Sequence, residues 1–346
     1  MVGSENALHV SNQSIETLQS VEYWKLVAPL LTISDDDNAT TRISAVVVIP
    51  GDTIIDAQEL DASRDASRRS ALSVRGFFHV GAAEIGISHT ILNALYVSIP
   101  LLVALGHEPS AIYMYDEAWA CGDALAALCM RASGNPPSGD AVAFLVAPQR
   151  HLFSGPHRDK PLAGTSSFRP DGAPMFVTAW LALSNTPPAS SCLYFLPADR
   201  DPGYTAPGDA IREALTTPTA WPRIQAQPCA AGDVLVFSHR LLHWGGEAEA
   251  GAPPRAALSF SFSDPAFEPA AFDATYLPFP PLRLRLAHVA AQAILYAEQA
   301  PLDKGGLALA NRTFAQQQKM FDQVYAERVL TAAQTLKFQM QQQRRR

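Results

Sequence analysis

The stretch Ser154–Pro161 reads SGPHRDKP, and its His157-Arg158-Asp159 core sets how the sequence on either side is understood. In a strand, residues two apart project to one face. His157 and Asp159 are therefore expected to point together into one space, with Arg158 turned away. Downstream, Gly232–Gly246 reads GDVLVFSHRLLHWGG and supplies two further histidines, His239 and His243, of equal strand parity. Either would complete a set of two imidazoles and one carboxylate. That facial set suits non-heme Fe(II) and leaves open positions on the metal.

The segment Pro253–Pro265, PPRAALSFSFSDP, follows. Arg255, Ala257, Ser259, Ser261 and Ser263 share one strand face, and Leu258, Phe260 and Phe262 share the other. The small, polar face predicts an interior pocket, and the bulky face predicts packing against another layer. Arg255 is then a fixed positive charge facing the pocket. A guanidinium holds a carboxylate through two parallel hydrogen bonds, a geometry lysine lacks.

Four blocks in order, His157–Asp159, FVTAWLALSNTPPASSCLYFLP (Phe176–Pro197), Gly232–Gly246 and the arginine of PPRAALSFSF, together carry a resemblance. The chain resembles the phytanoyl-CoA dioxygenase (PhyH)-like family of Fe(II)/2-oxoglutarate-dependent oxygenases, closely from His157 to Asp264. The resemblance implies a mostly β core, a double-stranded β-helix (jelly roll), packed against N- and C-terminal helices. It implies that His157, Asp159 and His243 bind Fe(II), with His239 a hydrogen-bonding neighbour. Arg255 is implied to clamp the distal carboxylate of 2-oxoglutarate. Trp180 lines that cleft by resemblance, though on bare sequence it is equally a core aromatic, and Thr178 shares its face.

The implied activity is that of a dioxygenase using O₂ and 2-oxoglutarate. It would oxidise, most simply hydroxylate, a small organic substrate with release of succinate and CO₂; desaturation and cyclisation are other outcomes. Relatives that chlorinate carry a small residue in place of the metal-binding aspartate, so Asp159 favours oxygenation. The chain departs from the family where relatives commonly have a Pro-Gly-Ser-His turn, and Ala198–Tyr204 is divergent. Competing readings are a jelly-roll protein that binds metal or ligand without turnover and a metal-dependent hydrolase. Neither needs a carboxylate-clamping arginine.

Composition is that of a folded enzyme. The 346 residues are 48% apolar and 17% charged, which excludes a disordered chain. Net charge is −7, and the only basic cluster is the terminal Arg344–Arg346, so nucleic acid is not an expected partner. The four cysteines, Cys121, Cys129, Cys192 and Cys229, have no metal-ligand spacing. They predict free thiols in a reducing compartment. MVGSENALHV at the start has neither a basic nor an apolar run, and a cytoplasmic location is the expectation. The apolar Ile85–Gly106 stretch is interrupted by His89, Asn93 and Pro100 and reads as core helix, not a membrane span.

A single domain is expected over 1–346. Residues 1–138 read as mostly helical, with SVRGFFHV (73–80) as a strand-like exception and a helix ending at Gly134-Asn135-Pro136-Pro137. Residues 139–266 alternate short strands with Pro/Gly/Asp turns and form the predicted jelly-roll core. Residues 280–346 read as C-terminal helices, with RLRLAHVAAQAILYAEQ and the long FAQQQKMFDQVYAERVLTAAQTLKFQ both at helical spacing. Tyr113, Tyr115, Arg158, Lys160 and Arg169 are candidate substrate contacts, each with an ordinary packing explanation. The sequence does not name the substrate.

Overall fold

A computed structural model describes residues 62–85, 122–146, 155–160, 167–206, 221–272, 282–297 and 302–343, with residues 148 and 215. The expectations for His151, Tyr113, Tyr115, most of Ile85–Gly106 and the chain before residue 62 lie outside the described residues. In chain order the elements are α1 (Ala62–Arg75), β1 (Phe77–Val80), α2 (Ala82–Ile85), α3 (Gly122–Ser133), β2 (Pro137–Val146) and β3 (Phe176–Ala182). Then come β4 (Leu193–Leu196), β5 (Gln225–Gln227), β6 (Val234–Ser238), β7 (Leu242–Gly245), β8 (Arg255–Ser263), α4 (Leu282–Leu295), α5 (Lys304–Gln317) and α6 (Gln323–Gln343).

The strands form two antiparallel sheets, one ordered β1-β6-β3-β8-β2 and one ordered β5-β4-β7. Period-two patterning sorts the side chains of the larger sheet. Phe77, Trp180, Ala182, Leu235, Phe237 and Ala257 face Leu193 and Phe195 of the smaller sheet and build the layer between the two. Phe195 is fully buried there, with its ring 4.9 Å from Phe77 and 5.3 Å from Phe237. Val177, Ala179, Leu181, Leu258, Phe260 and Phe262 face the other way, onto Leu72 of α1 and Leu125, Leu128 and Ala132 of α3. The two faces of β8 thus divide as its sequence predicts. The architecture is a mostly β core with flanking helices.

Glycines and caps set the element ends. Gly134 takes φ +73°, and its N–H returns to the Met130 carbonyl at 2.8 Å, ending α3 where the sequence predicts. Gly76, at φ +81°, turns the chain from α1 into β1. The run from Phe314 onward is not one helix, as its spacing suggests. α5 ends at Gln317, a 3₁₀ turn covers Gln318–Met320, and α6 starts at Gln323. Asp322 makes the second start: its carboxylate accepts from the amides of Val324 (2.8 Å) and Tyr325 (3.1 Å). The break lets Phe321 turn in beside Phe272, with ring centroids 5.8 Å apart. A buried apolar side chain there, worth about 2 kcal/mol, outweighs one lost helical turn. Among the described residues, no helix is long and apolar enough to cross a membrane.

Candidate active site

The His157–Asp159 segment is irregular and is joined to β7 by an isolated β-bridge at His157. His157 and His243 exchange both backbone hydrogen bonds, each at 3.0 Å, which places them directly opposite one another. Their rings come within 4.3 Å, centroid to centroid. Asp159 Oδ1 lies 3.8 Å from His157 Nε2 and 3.5 Å from His243 Nε2. One donor atom from each of the three lies within 4.8 Å of the others.

Each donor has its other polar atom tied down. His157 Nδ1 donates to the Gly155 carbonyl at 2.8 Å, and His243 Nδ1 donates to the Leu241 carbonyl at 3.0 Å. Both imidazoles thereby present Nε2 lone pairs to the same space. Thr178 donates its hydroxyl to Asp159 Oδ2 at 2.6 Å, which leaves Oδ1 facing the imidazoles. Burial pulls the His243 pKa down to about 4, so its ring is neutral at physiological pH. The three fit a divalent cation in donor type, tautomer and spacing. The His157 side chain is 39% exposed and that of His243 is 7% exposed, so the centre opens toward solvent on one side only.

His239 is elsewhere. It is completely buried, its Nδ1 donating to the Phe176 carbonyl at 3.0 Å and its Nε2 accepting from Ser167 Oγ at 2.8 Å. Burial depresses its pKa to about 4, and neither nitrogen is left over for a metal.

Arg255 opens β8 at the edge of the inter-sheet layer. Its side chain is buried, with the guanidinium carbon 5.7 Å from the centre of the Trp180 ring. Nη1 donates to the Ser191 carbonyl at 2.5 Å, and Nε has no partner. Among the described residues, no carboxylate forms an ion pair with it. Burial lowers its pKa to about 10, which still leaves it charged at neutral pH. Gly245 makes room: a Cβ there would stand 3.0 Å from Arg255 Nη1. Gly245 is two positions beyond His243 on β7, one strand repeat or about 7 Å. A short anion between the metal donors and Arg255 would span about that length.

The flanking cations expected near substrate are engaged within the protein. Arg158 is buried and grips Asp201 with Nη1 at 2.6 Å and Nη2 at 3.1 Å, while also donating to the Arg240 carbonyl. Lys160 pairs with Glu268 at 2.7 Å and sits 5.0 Å over the Phe176 ring. Arg169 holds Asp264 at 2.9 Å and Asn135 at 2.5 Å. Four contributors escaped the sequence reading: Ser191, Gly245, Asp201 and Arg240. Arg240 is fully buried and donates to the carbonyls of Gly203 (2.9 Å) and Tyr204 (3.2 Å), so it and Arg158 pin the divergent loop behind the metal donors.

The fold is an antiparallel two-sheet core in which His157, Asp159 and His243 could hold a metal ion and Arg255 is buried beside Gly245. Residues 125–257 match the family model described as Phytanoyl-CoA dioxygenase (PhyH). Over that segment, less than half of the chain, the sequence is similar to that family. No curated protein matches the chain. Among solved structures, it is similar to the non-heme alpha ketoglutarate dependent epimerase SnoN from nogalamycin biosynthesis, at 22% identity and TM-score 0.43, over 59% of this chain and 84% of that one. It is similar to AviO1 from Streptomyces viridochromogenes Tue57, at 18% identity and TM-score 0.46, over 60% and 97%. HygX from Streptomyces hygroscopicus with nickel and 2-oxoglutarate bound shares 14% identity at TM-score 0.45, over 60% and 87%.

Proposed function

We propose that the chain is a dioxygenase that hydroxylates a small organic molecule, with His157, Asp159 and His243 holding Fe(II) and Arg255 holding 2-oxoglutarate. Iron bound there, with O₂ and 2-oxoglutarate, supplies C–H oxidation coupled to release of succinate and CO₂. His157 and His243 act as neutral Nε2 donors, oriented by the Gly155 and Leu241 carbonyls. Asp159 contributes one oxygen, and Thr178 takes its share in the pocket by holding the other. Trp180 walls the cosubstrate and covers one face of the guanidinium. The inter-sheet packing around Phe195 and Phe237 keeps water from the buried side of His243.

The observation that carries this reading is Arg255: a buried guanidinium, beside the donor set, with no carboxylate of its own among the described residues. Burying an unpaired charge is costly, and a dicarboxylate cosubstrate offsets that cost. A hydrolase or a bare metal store has no use for it. Anaerobic Fe(II) with 2-oxoglutarate should produce a weak visible charge-transfer band, and admission of air should then give succinate. Absence of both in iron-loaded protein would sink the proposal.

A further inference from the structure

We propose that His79, Cys229 and Asp233 form a second metal site, of a kind that takes Zn(II) or Co(II), at the end of the inter-sheet layer remote from His157, Asp159 and His243. Their donor atoms lie within 4.8 Å of one another, and His79 Nε2 stands 3.0 Å from Asp233 Oδ2. Asp233 precedes β6, and Phe237, whose β3 partner Thr178 holds Asp159, comes four residues later, about 13 Å along that strand. The site is thus independent of the iron centre and of the function proposed for it.

Backbone contacts fix two of the donors. Cys229 is paired with Thr186 through backbone N–H to carbonyl (2.8 Å), and its own amide reaches Thr186 Oγ1 at 3.1 Å. Asp233 accepts the amides of Ala82 (Oδ1, 3.0 Å) and Ala230 (Oδ2, 2.9 Å). A carboxylate offers about four acceptor positions, so these two leave room for a cation. His79 lies on edge strand β1 with its side chain 45% exposed, free to rotate and to leave a further position for solvent.

Thiolate, imidazole and carboxylate are the donors zinc prefers, at about 2.0–2.3 Å, which sets them about 3.3–3.8 Å apart in a tetrahedron. The widest separations need to close by about 1–1.5 Å, and the His79–Asp233 pair, at 3.0 Å, opens slightly. Burial and the neighbouring Asp233 carboxylate push the free Cys229 thiol up to about 12, so it is protonated in the metal-free protein. A coordinating thiol is deprotonated outright. One proton therefore passes from Cys229 to solvent for each cation bound, and the cation neutralises the carboxylate that opposes thiolate formation. The bound metal would tie β1 to β6 beyond the single His79–Asp233 hydrogen bond. An ordinary reading, in which that bond and a packed thiol are all there is, predicts no sulfur–metal signal.

The test uses the full chain carrying His157→Ala and Asp159→Ala, which keeps cobalt out of the iron centre. Co(II) titration should raise a near-ultraviolet thiolate-to-cobalt charge-transfer band that saturates at one equivalent, with one proton released. Added Zn(II) should abolish the band and raise the thermal midpoint with concentration. Cys229→Ser in that background should remove the band, and His79→Ala should weaken apparent affinity at least about tenfold. No band in the parent, or a band that survives Cys229→Ser, overturns the site. If circular dichroism shows Cys229→Ser unfolded, His79→Ala decides: an unchanged titration overturns the proposal.

Discussion

Two buried arginines sit on opposite sides of the metal donors and are treated in opposite ways. Behind the candidate metal donors, Arg158 is charge-paired with Asp201 and also donates to the Arg240 carbonyl, the two side chains being 1% and 0% exposed and only the arginine Nε lacking a partner. In front, Arg255 has one carbonyl and a tryptophan face, and among the described residues no carboxylate. The two are equally buried and differ in charge pairing, an acid for one and none for the other. The paired guanidinium holds a loop; the other, in the function proposed above, answers a ligand carboxylate.

The largest effect that can break this contrast is on stability. Arg158→Ala strands a buried aspartate and should cost about 3–5 kcal/mol in chemical denaturation of the metal-free protein. Arg255→Ala removes a buried charge with no acid partner and should cost far less. Equal losses in the two variants would erase the distinction. Next is acid sensitivity. His239, with its folded pKa near 4 against 6.5 unfolded, is held neutral chiefly by burial. Its folded pKa is depressed, so the unfolded chain binds the proton first. Stability should be full above pH 6.5 and fall between there and pH 4, by up to about 3 kcal/mol from this group. Urea midpoints across that range, in wild type and His239→Gln, measure it; an equal fall in both rejects the assignment.

Smaller effects sharpen the front side. Arg255→Lys keeps the charge and loses the fork, so the KM for 2-oxoglutarate should rise about 10- to 100-fold, roughly 1.4 kcal/mol per tenfold. Iron affinity should not change. A wild-type titration in succinate release would put the cosubstrate elsewhere. Thr178→Val should weaken Mn(II) binding about tenfold by freeing Asp159 Oδ2, and Thr178→Ser should restore it. Equal affinities in both variants would show that the hydroxyl does not steer the carboxylate.

Much of this was legible in the sequence because it follows strand parity. The two faces of β8, the joint projection of His157 and Asp159, and the helix stop at Gly134 are all local periodicities or local backbone needs. The support behind the site was not legible. Arg158 and Asp201 are 43 positions apart, and no spacing rule connects a His-x-Asp arginine to a divergent loop. Arg240 bonds mainly to carbonyls, which every residue carries, so its partners leave no mark in side-chain identity. The choice of His243 over His239 rested on resemblance, since equal parity placed both on one face; the turn Ser238–Leu241 takes His239 into a separate buried pocket. The break at Gln318–Asp322 hid within a run whose apolar spacing stays helical across it, and the capping aspartate was its one local sign.

The reciprocal backbone bonds between His157 and His243 have a dynamic consequence. One ring of two hydrogen bonds couples the segment carrying two donors to the strand carrying the third. Any opening that parts the two segments must also part the candidate donors, so a bound cation would oppose that opening by an amount that grows with its free concentration over Kd. Metal loading should therefore be readable as slowed deuterium uptake at the His157 and His243 amides, with no substrate present.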